Sequence, residues 1–135
     1  MICLDTNIAI SVINRRNPAI RARLGEQIRS GAAIILPVIA LFEMGYGNAK
    51  SNRQANSERL LEEFLASGIA VAPFEPEDAR HAGEIRAYLE GLGTTIGYYD
   101  YLIAAQARRR KAILVTANGR EFERVPGLIV TDWAA

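Results

Sequence analysis

The chain has 135 residues, half of them apolar and 23% charged, with a formal net charge of +1. That size suits one compact domain over residues 1–135, and that composition excludes a disordered or low-complexity chain. The near-neutral balance neither requires nor excludes a nucleic-acid partner, because a basic face can hide in a neutral total.

In chain order, the apolar run Met1-Ile2-Cys3-Leu4 reads as a buried, central strand over 2–4, closed by Asp5. Cys3, the single cysteine, is expected to be small apolar filler in a reducing cytoplasm. Asp5 interrupts the apolar start too early for a secretory leader. Ile8 to Asn14 and Pro18 to Ser30 read as helices, the second by Ile20, Leu24 and Ile28 at fourfold spacing. Ala33 to Leu36 is a second strand, and Val38 to Gly47 a helix expected to stop at its glycines. The longest apolar stretch, Ala32 to Phe42, contains Pro37 and is too short to span a bilayer, so no membrane is expected. Ser57 to Leu65 is helical, Ile69 to Ala72 a third strand, and Glu77 to Leu92 a helix with Ala82, Ile85, Leu89 and Leu92 inward. A last long helix runs from Tyr99 to Arg110, followed by strands at Ile113 to Val115 and Leu128 to Val130. Alternating strands and helices imply an α/β fold whose mostly parallel sheet is covered on both faces. Sites in such sheets form beyond the carboxyl ends of the strands, near the point where strand order reverses. Asp5 and Thr116-Ala117-Asn118 both follow strands and share that edge.

Three acids stand in apolar settings: Asp5, Glu43 within Leu41-Phe42-Glu43-Met44, and Asp100 within Tyr98-Tyr99-Asp100-Tyr101-Leu102. A buried unpaired carboxylate is costly, so a cation, a positive side chain or a helix N-terminus must hold it, and three such acids far apart in sequence suggest one shared metal-binding site. Asp5, Thr6 and Asn7 are also good helix caps, and Asn7 or Thr6 can cap while Asp5 binds metal. Glu43 lies on a small apolar face with Ile39, Ala40 and Gly47 and is expected to point inward. Asp100 opens a helix whose dipole should keep it ionised. Glu58, Glu62, Glu63, Glu75, Glu77 and Glu84 read as ordinary solvated acids. The lone His81 reads as an exposed helix residue, so no nucleophile–histidine set and no Cys/His zinc site can be assembled. No glycine-rich phosphate loop is present. Hard oxygen donors suit magnesium or manganese, which polarise phosphoryl oxygens and activate water; the chemistry indicated is phosphodiester hydrolysis.

The segments Leu4-Asp5-Thr6-Asn7, Glu43-Met44-Gly45-Tyr46-Gly47, Ile96-Gly97-Tyr98-Tyr99-Asp100-Tyr101-Leu102-Ile103-Ala104-Ala105 and Leu114-Val115-Thr116-Ala117-Asn118-Gly119-Arg120-Glu121-Phe122 together resemble a PIN-domain ribonuclease. More narrowly, they resemble the VapC toxins of bacterial toxin–antitoxin pairs, as does the ending Arg124-Val125-Pro126-Gly127-Leu128 with Asp132-Trp133. The resemblance covers the whole chain in order. It implies a PIN-like domain with a five-stranded sheet. It implies a Mg2+-dependent endoribonuclease toxin, with Mn2+ as substitute, that cuts tRNA or another structured RNA and inhibits translation. The family's metal acids fall on Asp5 and Asp100, with Glu43 as the third. The fourth position falls on Asn118, a neutral and weaker ligand, and Glu121 is the candidate to supply the missing charge. Tyr98 stands where a proline often follows Gly97. The implied partners are RNA, a VapB-like antitoxin and a second copy of the chain, in a homodimer that joins the antitoxin in a larger hetero-oligomer.

Two other classes stay open on the residues themselves. A non-catalytic module could use the acid pocket to engage a basic partner segment. A receiver-like domain could accept phosphate on an aspartate, although the late Lys111 precedes a strand rather than ending one. The run Arg108-Arg109-Arg110-Lys111 reads either as a solvated helix end or as an RNA track, the former favoured. Tyr46, Tyr98, Tyr99 and Tyr101 are candidates for stacking on splayed bases.

Overall fold

The computed structural model describes residues 1–134 and contains, among them, five strands and seven helices. The strands are β1 (Ile2–Leu4), β2 (Ile34–Pro37), β3 (Ile69–Ala72), β4 (Ile113–Val115) and β5 (Ile129–Thr131). The helices are α1 (Thr6–Ile13), α2 (Pro18–Arg29), α3 (Val38–Lys50), α4 (Gln54–Leu65), α5 (Pro76–Leu92), α6 (Tyr98–Arg109) and α7 (Gly119–Phe122).

The strands form one parallel sheet in the order β3-β2-β1-β4-β5. β1 is central: Ile2 pairs with Ile34 on one side and Ile113 on the other. That position explains a strand with no polar residue and every residue buried. From β1 the chain builds outward through β2 and β3, then returns to add β4 and β5 on the opposite side. Strand order therefore reverses between β1 and β4, which places the predicted edge where Asp5 and Thr116 lie. The order also departs from the 2-1-3-4-5 arrangement of a receiver fold, which removes that reading.

Helix α6 carries Ile103, Ala104, Ala105, Gln106 and Ala107, all fully buried, and packs on β2, β4 and α5. Its small residues let the helix axis approach the sheet closely. α5 presents Ala82, Ile85 and Leu89 to this layer. A fully buried Ile or Leu of this kind contributes about 1.5–3 kcal/mol of burial free energy. Leu92 does not join them; it is 60% exposed because α5 ends there, at Gly93 in the left-handed conformation (φ 71°).

The glycines of α3 do not stop it. The helix runs through Gly45 and Gly47 to Lys50, because neither adopts a positive φ and a Cβ at either would meet open space. Helix α7 escaped the periodicity reading because four residues cannot display a period. No helix among the described residues is long and apolar enough to cross a membrane.

Candidate active site

Asp5 sits at the junction of β1 and α1. Its own amide donates to Val115 O at 3.0 Å, so the sheet still holds the backbone there. Its side chain is the N-cap of α1, a role expected of Asn7 or Thr6. Oδ1 accepts from the Thr6 N–H at 2.8 Å and Oδ2 from the Thr116 hydroxyl at 2.8 Å. Asp5 is only 6% exposed. Burial pushes its carboxyl above the usual range, the Thr116 and Thr6 bonds pull it back, and the charge of Glu43 adds to the rise.

Glu43 projects from α3 toward the same edge, half-buried as expected. Its Oε1 accepts from the Thr6 hydroxyl at 2.7 Å. Asp100 stands in the first turn of α6 behind the N-cap Gly97. A Cβ at position 97 would lie 3.0 Å from Asp100 Oδ2, so the glycine makes room for the carboxylate. Burial, followed by the charges of Asp5, Glu43 and Glu121, pushes its carboxyl up to about 6. At pH 7 it is ionised by only about ten to one.

After β4, the Asn118 amide N–H donates to Thr116 Oγ1 at 2.9 Å, and Asn118 Nδ2 donates to Glu121 Oε2 at 2.9 Å. One hydrogen-bonded chain therefore runs from the Asn118 amide through Thr116, Asp5 and the Thr6 amide, and on through the Thr6 hydroxyl to Glu43. Glu121 and Asp100 are linked to it by charge.

Among the described residues no three Asp, Glu, His or Cys side chains come close enough together to hold a metal ion by themselves. The donor set nonetheless fits a hard divalent ion. Magnesium binds through one or two carboxylates, water and substrate phosphate rather than through an all-protein cage. The charges of neighbouring acids raise the pKa of Asp5 and Asp100, a repulsion that a cation would relieve.

The threonines were not picked out as site residues in the sequence. Thr116 is fully buried directly after β4, the position that singled out Asp5 after β1, so the same signal would have found it.

The three arginines of the basic run are held in ion pairs with acids of α5 and its N-cap, while Lys111 is exposed. Arg109 Nε donates to Asp78 Oδ1 at 2.9 Å and Arg110 Nη1 to the same oxygen at 2.8 Å. Arg109 also reaches Glu75 at 2.7 Å. Arg108 donates to His81 Nδ1 at 3.0 Å and pairs with Glu84 at 3.2 Å. His81 is thus a half-buried acceptor, and burial followed by the charges of Arg108 and Arg80 holds its pKa down. Glu75 and Glu84 are solvated as expected, and each also pairs with an arginine of α6.

Of the tyrosines, Tyr46, Tyr98 and Tyr99 are exposed. Tyr101 is buried with its hydroxyl accepting from the Ile96 N–H at 3.3 Å, so it is a structural residue and not a stacking platform.

Residues 2–128 match the family model described as PIN domain. The tRNA(fMet)-specific endonuclease VapC of Shigella flexneri is 40% identical over 131 residues, covering 97% of this chain and 96% of that protein. Ribonuclease VapC2 of Haemophilus influenzae is 38% identical over 130 residues, covering 96% of each. Among solved structures, a chain of VapBC2 from Rickettsia felis bound to a promoter DNA fragment superposes with a TM-score of 0.92 at 34% identity, over 98% of this chain and 99% of that one. A chain of DNA-bound VapBC from Salmonella typhimurium superposes with a TM-score of 0.89 at 36% identity, over 98% and 99%.

Proposed function

The chain belongs to the PIN-domain family, and we propose that it is a Mg2+-dependent endoribonuclease toxin of the VapC type, acting in the cytoplasm and held inactive by a VapB-like antitoxin. The observation that carries this reading is the coupling of four acids at the reversal point of the sheet, expressed in Asp100. Its substrate is RNA, with tRNA favoured by the name of the Shigella relative.

Asp5 and Asp100 would hold the ion, with Glu43 as the third acid. When bound, the ion supplies Lewis acidity toward a phosphoryl oxygen and acidifies water. The protein's own residues do the rest. Asp5, fixed from both sides by Thr6 and Thr116, offers a carboxylate of set orientation. Asn118 orients Glu121, which brings negative charge to the open side of the site. The crowded acids repel an RNA phosphate until a cation neutralises them, so substrate and ion binding are coupled.

Glu43 also lines a groove of about 240 Å³ with Ile10, Ile13, Met44, Leu60 and Leu61. With Asn14, Asn48, Ser51 and Ser57 also on its lining, this mixed groove ending at an acid suits a partner segment that lays down aliphatic side chains and sets a guanidinium among Asp5, Glu43 and Asp100. Exposed Phe42, Tyr46, Tyr98 and Tyr99 support a second copy as a further partner.

The test is purified protein with total RNA, with Mg2+ or chelator, beside the Asp100→Asn variant. Cleavage that needs the ion and Asp100 is expected. A chain that cuts nothing with Mg2+, yet binds a basic partner segment, would establish the non-catalytic module instead.

A further inference from the structure

We infer that Thr6 is a positioning residue: its hydroxyl holds the Glu43 carboxylate in register with Asp5 and thereby sets the affinity of the acid site for a divalent ion. This rests on the reading of the acids given above.

Thr6 is the first residue of α1 and is 8% exposed. Its two polar groups serve two different acids. The backbone N–H donates to Asp5 Oδ1 at 2.8 Å, and Oγ1 donates to Glu43 Oε1 at 2.7 Å. Glu43 comes from another helix, 37 residues further along the chain. Among the described residues this is the only hydrogen bond its carboxylate makes.

The placement follows from where Thr6 stands. Inside a helix, a threonine hydroxyl bonds the carbonyl three or four residues earlier. At the first helical position no preceding turn offers that carbonyl. The hydroxyl is free to cross to α3 instead. A glutamate left alone has three rotatable bonds and loses about 1.5–2 kcal/mol of rotamer entropy when it is fixed. The bond from Thr6 meets that cost before an ion arrives. Thr116 fills the matching role on the far side, through Asp5 Oδ2.

The geometry allows a selective deletion. Thr6→Val keeps the branched shape, the helix start and the backbone bond to Asp5, and removes only the link to Glu43. Partners behind metal ligands typically change affinity by about 10- to 100-fold. Mn2+ binding is measured by isothermal titration calorimetry on the full chain, for the native protein, Thr6→Val, Thr6→Ser, Glu43→Ala and the Thr6→Val/Glu43→Ala pair. About tenfold weaker binding is expected for Thr6→Val, recovery for Thr6→Ser, and no further loss when Thr6→Val is added to Glu43→Ala. In RNA cleavage, the Mg2+ midpoint should rise for Thr6→Val while the rate at saturating ion holds. Should Thr6→Val fail to fold, Thr6→Ala makes the same deletion without packing a methyl against a carboxylate.

Native-like affinity in the folded Thr6 variants overturns the inference and leaves the acid site standing. So does an equal loss in the Glu43→Ala background, which would trace the effect to the fold. Native protein that binds no Mn2+ overturns the acid-site reading and this inference together.

Discussion

Helix α6 touches two groups of acids and treats them in opposite ways. At its N-terminus Asp100 joins Asp5, Glu43 and Glu121, and among the described residues no arginine or lysine is hydrogen-bonded to any of them; burial and the charges of the other three push its carboxyl up to about 6. At its C-terminus Arg109 and Arg110 reach Asp78, which has no exposed surface at all. Burial alone would push Asp78 up, but hydrogen bonds from Arg109, the Glu75 amide and Arg110 hold it below the usual range. The first group is left short of positive charge, and the second is furnished with it. Four acids left without a basic partner at one end of α6, against a carboxylate furnished with two arginines at the other, mark the first group as the candidate site.

The largest effect expected from breaking this contrast is on catalysis. Asp100→Asn should lower the rate of RNA cleavage by about 1000-fold at saturating Mg2+, while circular dichroism stays native. Full activity in that variant would remove Asp100 from the site.

Next comes stability at the other end of the helix. Asp78→Asn should cost about 3 kcal/mol in urea unfolding, because two arginines lose their buried partner. The low end of the range applies, since Arg109 and Arg110 keep 26% and 12% side-chain exposure. Cleavage per folded molecule should be unchanged. A milder cost would mean that water or Glu75 replaces the lost charge.

The two ends should also respond to pH with opposite signs. Asp100 has a raised folded pKa, so its contribution is fully present below about pH 4 and is lost as pH rises through about 6. Asp78 has a lowered folded pKa, so its contribution is present above about pH 4 and is lost as pH falls through its folded value. In chelator, thermal unfolding of Asp100→Asn should lose the decline between about pH 4 and 6, a gain at pH 7 of about 1–2 kcal/mol after solvent screening. An unchanged profile would mean that the acids are not coupled.

The smallest effect concerns the neutral ligand position. Asn118→Asp should lower the Mg2+ midpoint for cleavage by about threefold, and Glu121→Gln should raise it by a similar factor. The size is limited because the new carboxylate gives up the Asn118 bond to Glu121 and faces that acid directly. Equal midpoints in all three proteins would make Asn118 a turn residue beside Gly119.

The acid site was far more legible in the sequence than the ionic latch. Asp5 betrays itself as a charge at the end of a wholly apolar strand, and Asp100 as an acid inside an aromatic and aliphatic run. Local context sufficed because the signal in each case is a charge among apolar neighbours in the same short segment. Asp78 sits in Glu75-Pro76-Glu77-Asp78-Ala79-Arg80, which reads as a solvated helix start. Its partners lie 31 and 32 residues away and reach it only once α5 lies on α6. The same holds for the threonine hydroxyls, whose partners are set by strand order. The helices and parallel sheet were readable from periodicity, and most helix ends with them; the stop of α3 was not, because Gly45 and Gly47 carry the composition of a terminus without its backbone geometry.

The central place of β1 has a consequence in time. The hydroxyl that fixes Asp5 belongs to Thr116, which is synthesised 111 positions later. At about 5–20 residues per second the gap is of order ten seconds. Until β4 slots in beside β1, half of the sheet is missing and the acid edge has no second wall. The nascent chain is therefore born without its blade. A chain cut short before residue 113 should be unable to cleave RNA, whatever it carries of Asp5, Glu43 and Asp100, and the cell gains that interval before each new copy is armed.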